Sequence, residues 1–158
     1  MRKPYLLIIG AWLVHTVAWF LPVLKEGVTF PHGLLGWEAF RVAASAVWPY
    51  ENIEFEARYY AVLATISAVT TPLFIFSSVW VVLRGTRALR HVSAWVATIA
   101  FIFNVHWYVL FGSDRKNLRI GYFLWWLSFL LVALGLFALS RQTTDNTLTP
   151  SAKSQVLD

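Results

Sequence analysis

Four uninterrupted apolar runs, Tyr5–Leu24, Tyr60–Leu83, Val92–Leu110 and Ile120–Leu139, organise the chain, and none contains Asp, Glu, Lys or Arg. Each is about twenty residues long, enough at 1.5 Å per residue to cross roughly 30 Å of hydrocarbon. A lipid interior offers the backbone no hydrogen-bond partner, so such segments must close their bonds internally as helices. The first run holds eleven Leu, Ile, Val and Phe residues. Each returns about 0.3–0.6 kcal/mol on insertion, so His15 is carried without difficulty. The third run is the least apolar, with Ser93, Thr98, Asn104 and His106, and is expected to lean on neighbouring helices to satisfy them. The predicted fold is all-α, an integral membrane four-helix bundle.

The segments between the runs are short except for Lys25–Tyr59. There Pro31-His32-Gly33 breaks the chain, and Leu34–Trp48 reads as an extracytoplasmic loop helix stopped by Pro49. Glu38, Arg41 and Ser45 share one face of it, and Trp37, Phe40, Ala44, Val47 and Trp48 supply the apolar side, so it lies in the interface or caps the bundle. After Arg141 the tail 142–158 is polar and cannot bury enough surface to offset its ordering entropy, which predicts disorder. Residues 1–141 thus form one domain. At the amino terminus Thr16-Val17-Ala18 offers a weak signal-peptidase site, but the apolar run continues to Leu24, so a retained span is expected.

Composition agrees with the pattern. Of 158 residues 58% are hydrophobic and only 13% charged, where soluble domains carry about a quarter charged residues. The net charge of +5 is scattered beside the apolar runs, which suits topology signals rather than a nucleic-acid-binding face. The chain has no cysteine, which excludes disulfide exchange, iron–sulfur clusters and thiolate zinc. With both termini in the cytoplasm, seven Lys/Arg face inward (Arg2, Lys3, Arg84, Arg87, Arg90, Arg141, Lys153) against six outward. The density of Arg84, Arg87 and Arg90 in one connector favours this orientation, and Asp114-Arg115-Lys116 opposes it. Aromatics gather at the run ends, Trp80 and Trp95 at the inner connector and Trp19, Tyr59, Tyr60, Trp107, Tyr108, Tyr122, Trp125 and Trp126 toward the outer one. Of the exposed rings, Trp37, Phe40, Trp48, Trp125 and Trp126 are the expected interfacial or partner surface.

Candidate chemistry is sparse. His15 and His106 are the titratable groups inside the runs, read either as neutral imidazoles bonded between helices or as two axial haem ligands. Measured along N-inside helices they sit about 15 and 21 Å from the inner ends, an offset that suits one haem poorly. Asn104 and His106 point about 200° apart around their helix and share no local site. In the second run Ser67, Thr71 and Ser78, with Asn104, form a polar stripe that lines a pathway or a packing seam. Ala64/Ala68 and Ser67/Thr71 are small pairs that let helices approach, and Thr70-Thr71-Pro72 predicts a kink. Arg84, Arg87 and Arg90, if helical, present one cationic face to anionic lipid. Glu51, Glu54, Glu56 and His32 match no metal-ligand spacing, and no catalytic motif occurs, so no metal, cofactor or enzyme activity is implied.

Gly36-Trp37-Glu38-Ala39-Phe40-Arg41 and Leu118-Arg119-Ile120-Gly121-Tyr122-Phe123-Leu124-Trp125-Trp126-Leu127-Ser128-Phe129 resemble segments of small uncharacterised bacterial four-span inner-membrane proteins. The resemblance implies topology and supplies no site. The long first loop is laid out like that of the claudin-type proteins, whose loop cysteines are absent here. The expected function is that of an accessory, assembly or interaction subunit with lipid, a membrane-protein partner or a second copy as its contacts. A small transporter and a haem-binding subunit are the alternatives.

Overall fold

The structure, a computed structural model, describes residues 3–26, 32–45, 47–48 and 58–148, with Asp114 and residues 142–148 described by their backbone alone. Among them are five α-helices: α1 (Lys3–Phe20), α2 (Gly36–Ala43), α3 (Arg58–Arg84), α4 (Arg87–Leu110) and α5 (Ile120–Leu148). Helices α1, α3, α4 and α5 are each long and apolar enough to cross a membrane. The all-α architecture with four long apolar helices is therefore as expected, but several element ends are not.

Helix α1 stops at Phe20 rather than at Leu24. Pro22 has no N–H to donate, and its ring disfavours helical backbone at Leu21. The chain instead extends as β1 (Pro22–Leu24), which pairs antiparallel with β2 (Leu34–Leu35). The other edge of β1 is taken by the residues entering α5. Lys25 N–H donates to Asn117 O and Arg119 N–H to Val23 O, both at 2.8 Å. Leu24 also bridges Leu118. This three-ply clasp ties the end of α1 to the start of α5.

Two glycines allow the clasp to close. A Cβ on Gly121 would lie 2.7 Å from the carbonyl oxygens of both Leu21 and Pro22, and one on Gly36 would overlap Ala18 O and lie 2.7 Å from Trp19 Cα. Both obstacles are backbone and cannot swing away.

The loop helix is shorter than the predicted 34–48. Leu34 and Leu35 are drawn into β2, and a turn follows Ala43, while Pro49 lies outside the described residues. Its first turn is held by Glu38 Oε2, which accepts from Leu35 N–H at 2.8 Å.

Between α3 and α4 only Gly85 and Thr86 are non-helical. Thr86 Oγ1 accepts from Leu89 N–H at 3.3 Å as N-cap, so α4 begins five residues before the predicted Val92. A 3₁₀ turn (Gly112–Asn117) leads into α5. That helix runs past the predicted boundary at Arg141 to Leu148, where composition predicts a disordered tail. Elongating an existing helix adds one hydrogen bond for each residue fixed, so a polar sequence can continue a helix it could never start. Residues 149–158 lie outside the described residues.

Helix α5 is the axis of the bundle and packs most extensively on α1 and α4, with α3 against α4 and α2. Phe129, Val132, Ala133, Leu136 and Leu139 of α5 are buried with Ile8 and Ala11 of α1, Phe74 and Val81 of α3, and Ala94, Ala97 and Ala100 of α4. These alanines, three residues apart, let α4 approach its neighbours closely. Helix α3 runs unbroken through Pro72, which faces outward.

Candidate functional site

Asn104 is fully buried on α4 and joins three helices. Its Oδ1 accepts from the Ser67 hydroxyl at 2.9 Å, and its Nδ2 donates to Thr70 Oγ1 at 3.2 Å and to Ala100 O at 2.8 Å. The Ser67 oxygen also accepts from Trp107 Nε1 at 2.9 Å, and the Thr70 hydroxyl donates to Ser67 O at 2.6 Å. From α5 the Tyr122 hydroxyl donates to Asn104 O at 2.7 Å. Both amide hydrogens and the amide oxygen are engaged, which also fixes the orientation of the amide.

The predicted polar stripe is divided in two. Ser67 and Asn104 meet, but Ser78 stands about 16 Å further along α3. Its hydroxyl donates to Phe74 O at 2.6 Å, and its oxygen accepts from Trp12 Nε1 at 3.0 Å. Phe74, only 1% exposed, sits between the two polar points on the buried face. Thr71 is buried beside the network, while Thr70, read from the sequence only as part of a kink and not of the polar stripe, takes part in it. Spacing of four residues pointed to Thr71, but Asn104 reaches the hydroxyl three residues from Ser67. Trp12 and Ser128 carry no sequence signal for this role, and Trp107 and Tyr122, read as belt aromatics, also join the networks. Each has a polar hydrogen inside an apolar run and so must find an acceptor there.

His15 forms a second network. Trp19 Nε1–H donates to His15 Nε2 at 3.3 Å, and His15 Nδ1 lies 2.9 Å from Ser128 Oγ. The Ser128 hydroxyl donates to Trp125 O at 2.6 Å, so its oxygen accepts, and the imidazole proton resides on Nδ1. The neutral ring stacks on Phe74 with centroids 4.2 Å apart and meets the edge of Phe129 at 6.0 Å. Both nitrogens are engaged, and a metal could take either only by displacing one of these bonds.

His106 is half-buried and its Nδ1–H donates to Phe103 O at 2.6 Å on its own helix. It shares no partner with His15. Thr98 likewise donates to Ala94 O at 2.9 Å within α4. Of the polar groups on this helix, then, Asn104 leans on its neighbours whereas Thr98 and His106 bond within their own turn.

The arginines do not form one helical face. Arg84 ends α3 with its guanidinium 5.4 Å from the Trp80 ring centre, and Arg87 and Arg90 belong to α4 beyond the Gly85–Thr86 link. Among the expected surface aromatics, Trp37 and Trp48 are exposed, and Arg41 lies 3.8 Å above the Trp48 ring. The others are occupied within the bundle: Phe40 stacks on Trp19, Trp125 meets Phe129 edge-on, and Trp126 stacks on Phe101 while donating to Phe101 O at 2.8 Å. Glu51, Glu54 and Glu56 lie outside the described residues, and His32 is exposed. Among the described residues no group of three or more His, Cys, Asp or Glu is placed to hold a metal ion.

No family model, curated protein or solved structure matches this chain. Fold and polar groups together define a helical bundle with four helices long and apolar enough to cross a membrane, joined by buried hydrogen-bond networks.

Proposed function

We propose that the chain is a non-enzymatic multi-pass protein of the bacterial inner membrane, with both termini in the cytoplasm, and that it serves as an accessory, assembly or interaction subunit. The observation that carries this reading is the contrast between the inside and the outside of the bundle. Inside, Ser67, Thr70, Asn104, His15 and Ser128 are committed to holding helices together. Outside, α1 presents Leu6, Ile9, Leu13, Val17 and Phe20 along one exposed stripe. Only 28% of the apolar window of α1 is buried, against 44% for α3. A soluble protein does not leave such a face uncovered, so lipid or another apolar helix covers it. Among the described residues no Asp, Glu, Lys or Arg is buried as a whole, so the interior offers little to drive chemistry, and the outward face is where the protein meets other molecules.

Mild extraction of the tagged full-length protein, followed by intact-complex mass spectrometry, tests the reading. The expected result is a defined stoichiometric assembly, with a second copy or a partner subunit, that recurs across preparations. Consistent recovery of a lone monomer would overturn the interaction role, and a protein that stays monodisperse without detergent would overturn membrane insertion.

A further inference from the structure

The ends of α4 and α5 enclose an open groove of about 770 Å³ lined by Arg87, His91 and Trp95 on one side and Phe137, Ser140 and Arg141 on the other, with Leu134 deeper along α5. We propose that this groove binds the headgroup of an anionic phospholipid with the start of its acyl chain, which rests on the membrane reading given above.

Charge is the first argument. Two arginines line the groove, and among the described residues no carboxylate does. Arg87 is also the first residue of α4, whose first turn contains no acidic residue. The helix dipole adds positive potential at that end, so cations placed there repel the dipole unless an anion accompanies them.

Depth is the second. Arg87 opens α4, and Arg141 closes the apolar part of α5, so in an inserted bundle both stand where hydrocarbon gives way to water. Trp95 lies about 12 Å further along α4 and Leu134 about 10 Å further along α5. The groove therefore passes from a cationic rim to an apolar floor over the length of a headgroup and a few methylenes.

Aromatic contacts build the floor. Phe137 meets His91 and Trp95 edge-on, with centroids 5.4 and 5.5 Å apart. Trp95 Nε1–H donates to His91 Nε2 at 3.3 Å, which places the imidazole proton on Nδ1. The exposed ring thus keeps a donor for a phosphate oxygen beside the two arginines. Soluble phosphate would use the rim and leave Leu134 and Trp95 uncovered. An amphiphile uses both, and on that ground lipid is the assigned ligand.

The test is lipid retention by native mass spectrometry on the intact protein, titrated with phosphatidylglycerol, phosphatidylcholine or free glycerol phosphate. The expected result is selective retention of phosphatidylglycerol, weakened about tenfold to thirtyfold in the Arg87→Gln/Arg141→Gln double variant. Arg115→Gln/Lys116→Gln, which removes two exposed charges elsewhere, is expected to retain it. Leu134→Trp keeps the cations but fills the floor, and is expected to lose the lipid as well. Equal retention of both phospholipids, equal loss in both double variants, full retention by Leu134→Trp, or displacement by glycerol phosphate would each overturn the proposal. Circular dichroism and co-flotation with vesicles separate this outcome from failure of the fold or of membrane insertion.

Discussion

Replacing Asn104 with Ala should loosen the bundle by about 2 kcal/mol, and the structure says where that comes from. The amide makes two bonds to another helix, with Ser67 and Thr70, and one to its own at Ala100. On the membrane reading proposed above, hydrogen bonds between helices in lipid average about 0.6 kcal/mol, so the two together contribute about 1.2 kcal/mol. Asn104 is fully buried, and an amide-sized void of roughly 30 Å³ at about 24 cal/mol per Å³ adds about 0.7 kcal/mol. The loss stops there because the Ser67 hydroxyl can turn back onto its own helix, as Thr65 does to Ala61 O at 2.8 Å. Reversible unfolding in mixed micelles, followed by circular dichroism and tryptophan fluorescence, measures the change. A double-mutant cycle of Ser67→Ala with Asn104→Ala isolates the shared bond, with an expected coupling of about 0.6–1.7 kcal/mol. A destabilisation below about 0.3 kcal/mol, or a coupling of zero, would show that this network does not hold α3 to α4.

Two further outcomes follow from close packing. Gly121→Ala and Gly36→Ala should each cost about 1–3 kcal/mol, because the added methyl meets backbone across the clasp. Gly10→Ala, in α1 with nothing within 4 Å of the new Cβ, should instead gain about 0.5–1 kcal/mol from helix propensity; equal thermal midpoints for all three would refute the clasp. His15→Ala should cost about 2–4 kcal/mol by opening a space between Phe74 and Phe129 and stranding the Trp19 donor. The purified wild-type protein should show no Soret absorbance, and a Soret band lost in His15→Ala would displace the structural reading of that imidazole.

The helix ends and the polar contacts show how far one-dimensional pattern reaches. Pro22 was a readable stop for α1, yet the length of the apolar run masked it. The clasp had no periodic signal, because strands of two and three residues cannot establish a repeat. The expected single face of Arg84, Arg87 and Arg90 assumed continuous helix and failed at Gly85–Thr86. Asn104 in an apolar run needs a partner on another helix, but the pattern does not name Ser67 and Thr70 as that partner pair. Thr70 and Thr71 are adjacent in sequence, and only the rotation of α3 against α4 selects between them.

Hydrophobic run length and the exclusion of charge determined the four long helices, because each run alone must satisfy its own backbone and shed water from its side chains. That argument is local, and the sequence contains all of it. Which helices touch is a different matter. The placement of α5 between α1 and α4, the pairing of His15 with Ser128 across 113 positions, and the meeting of Arg87 with Arg141 in one groove belong to the tertiary structure. Apolar faces of similar composition pack in many arrangements of similar energy, and it is close shape fit at residues such as Gly121, with the pairing of buried polar groups such as Asn104 and His15, that selects one.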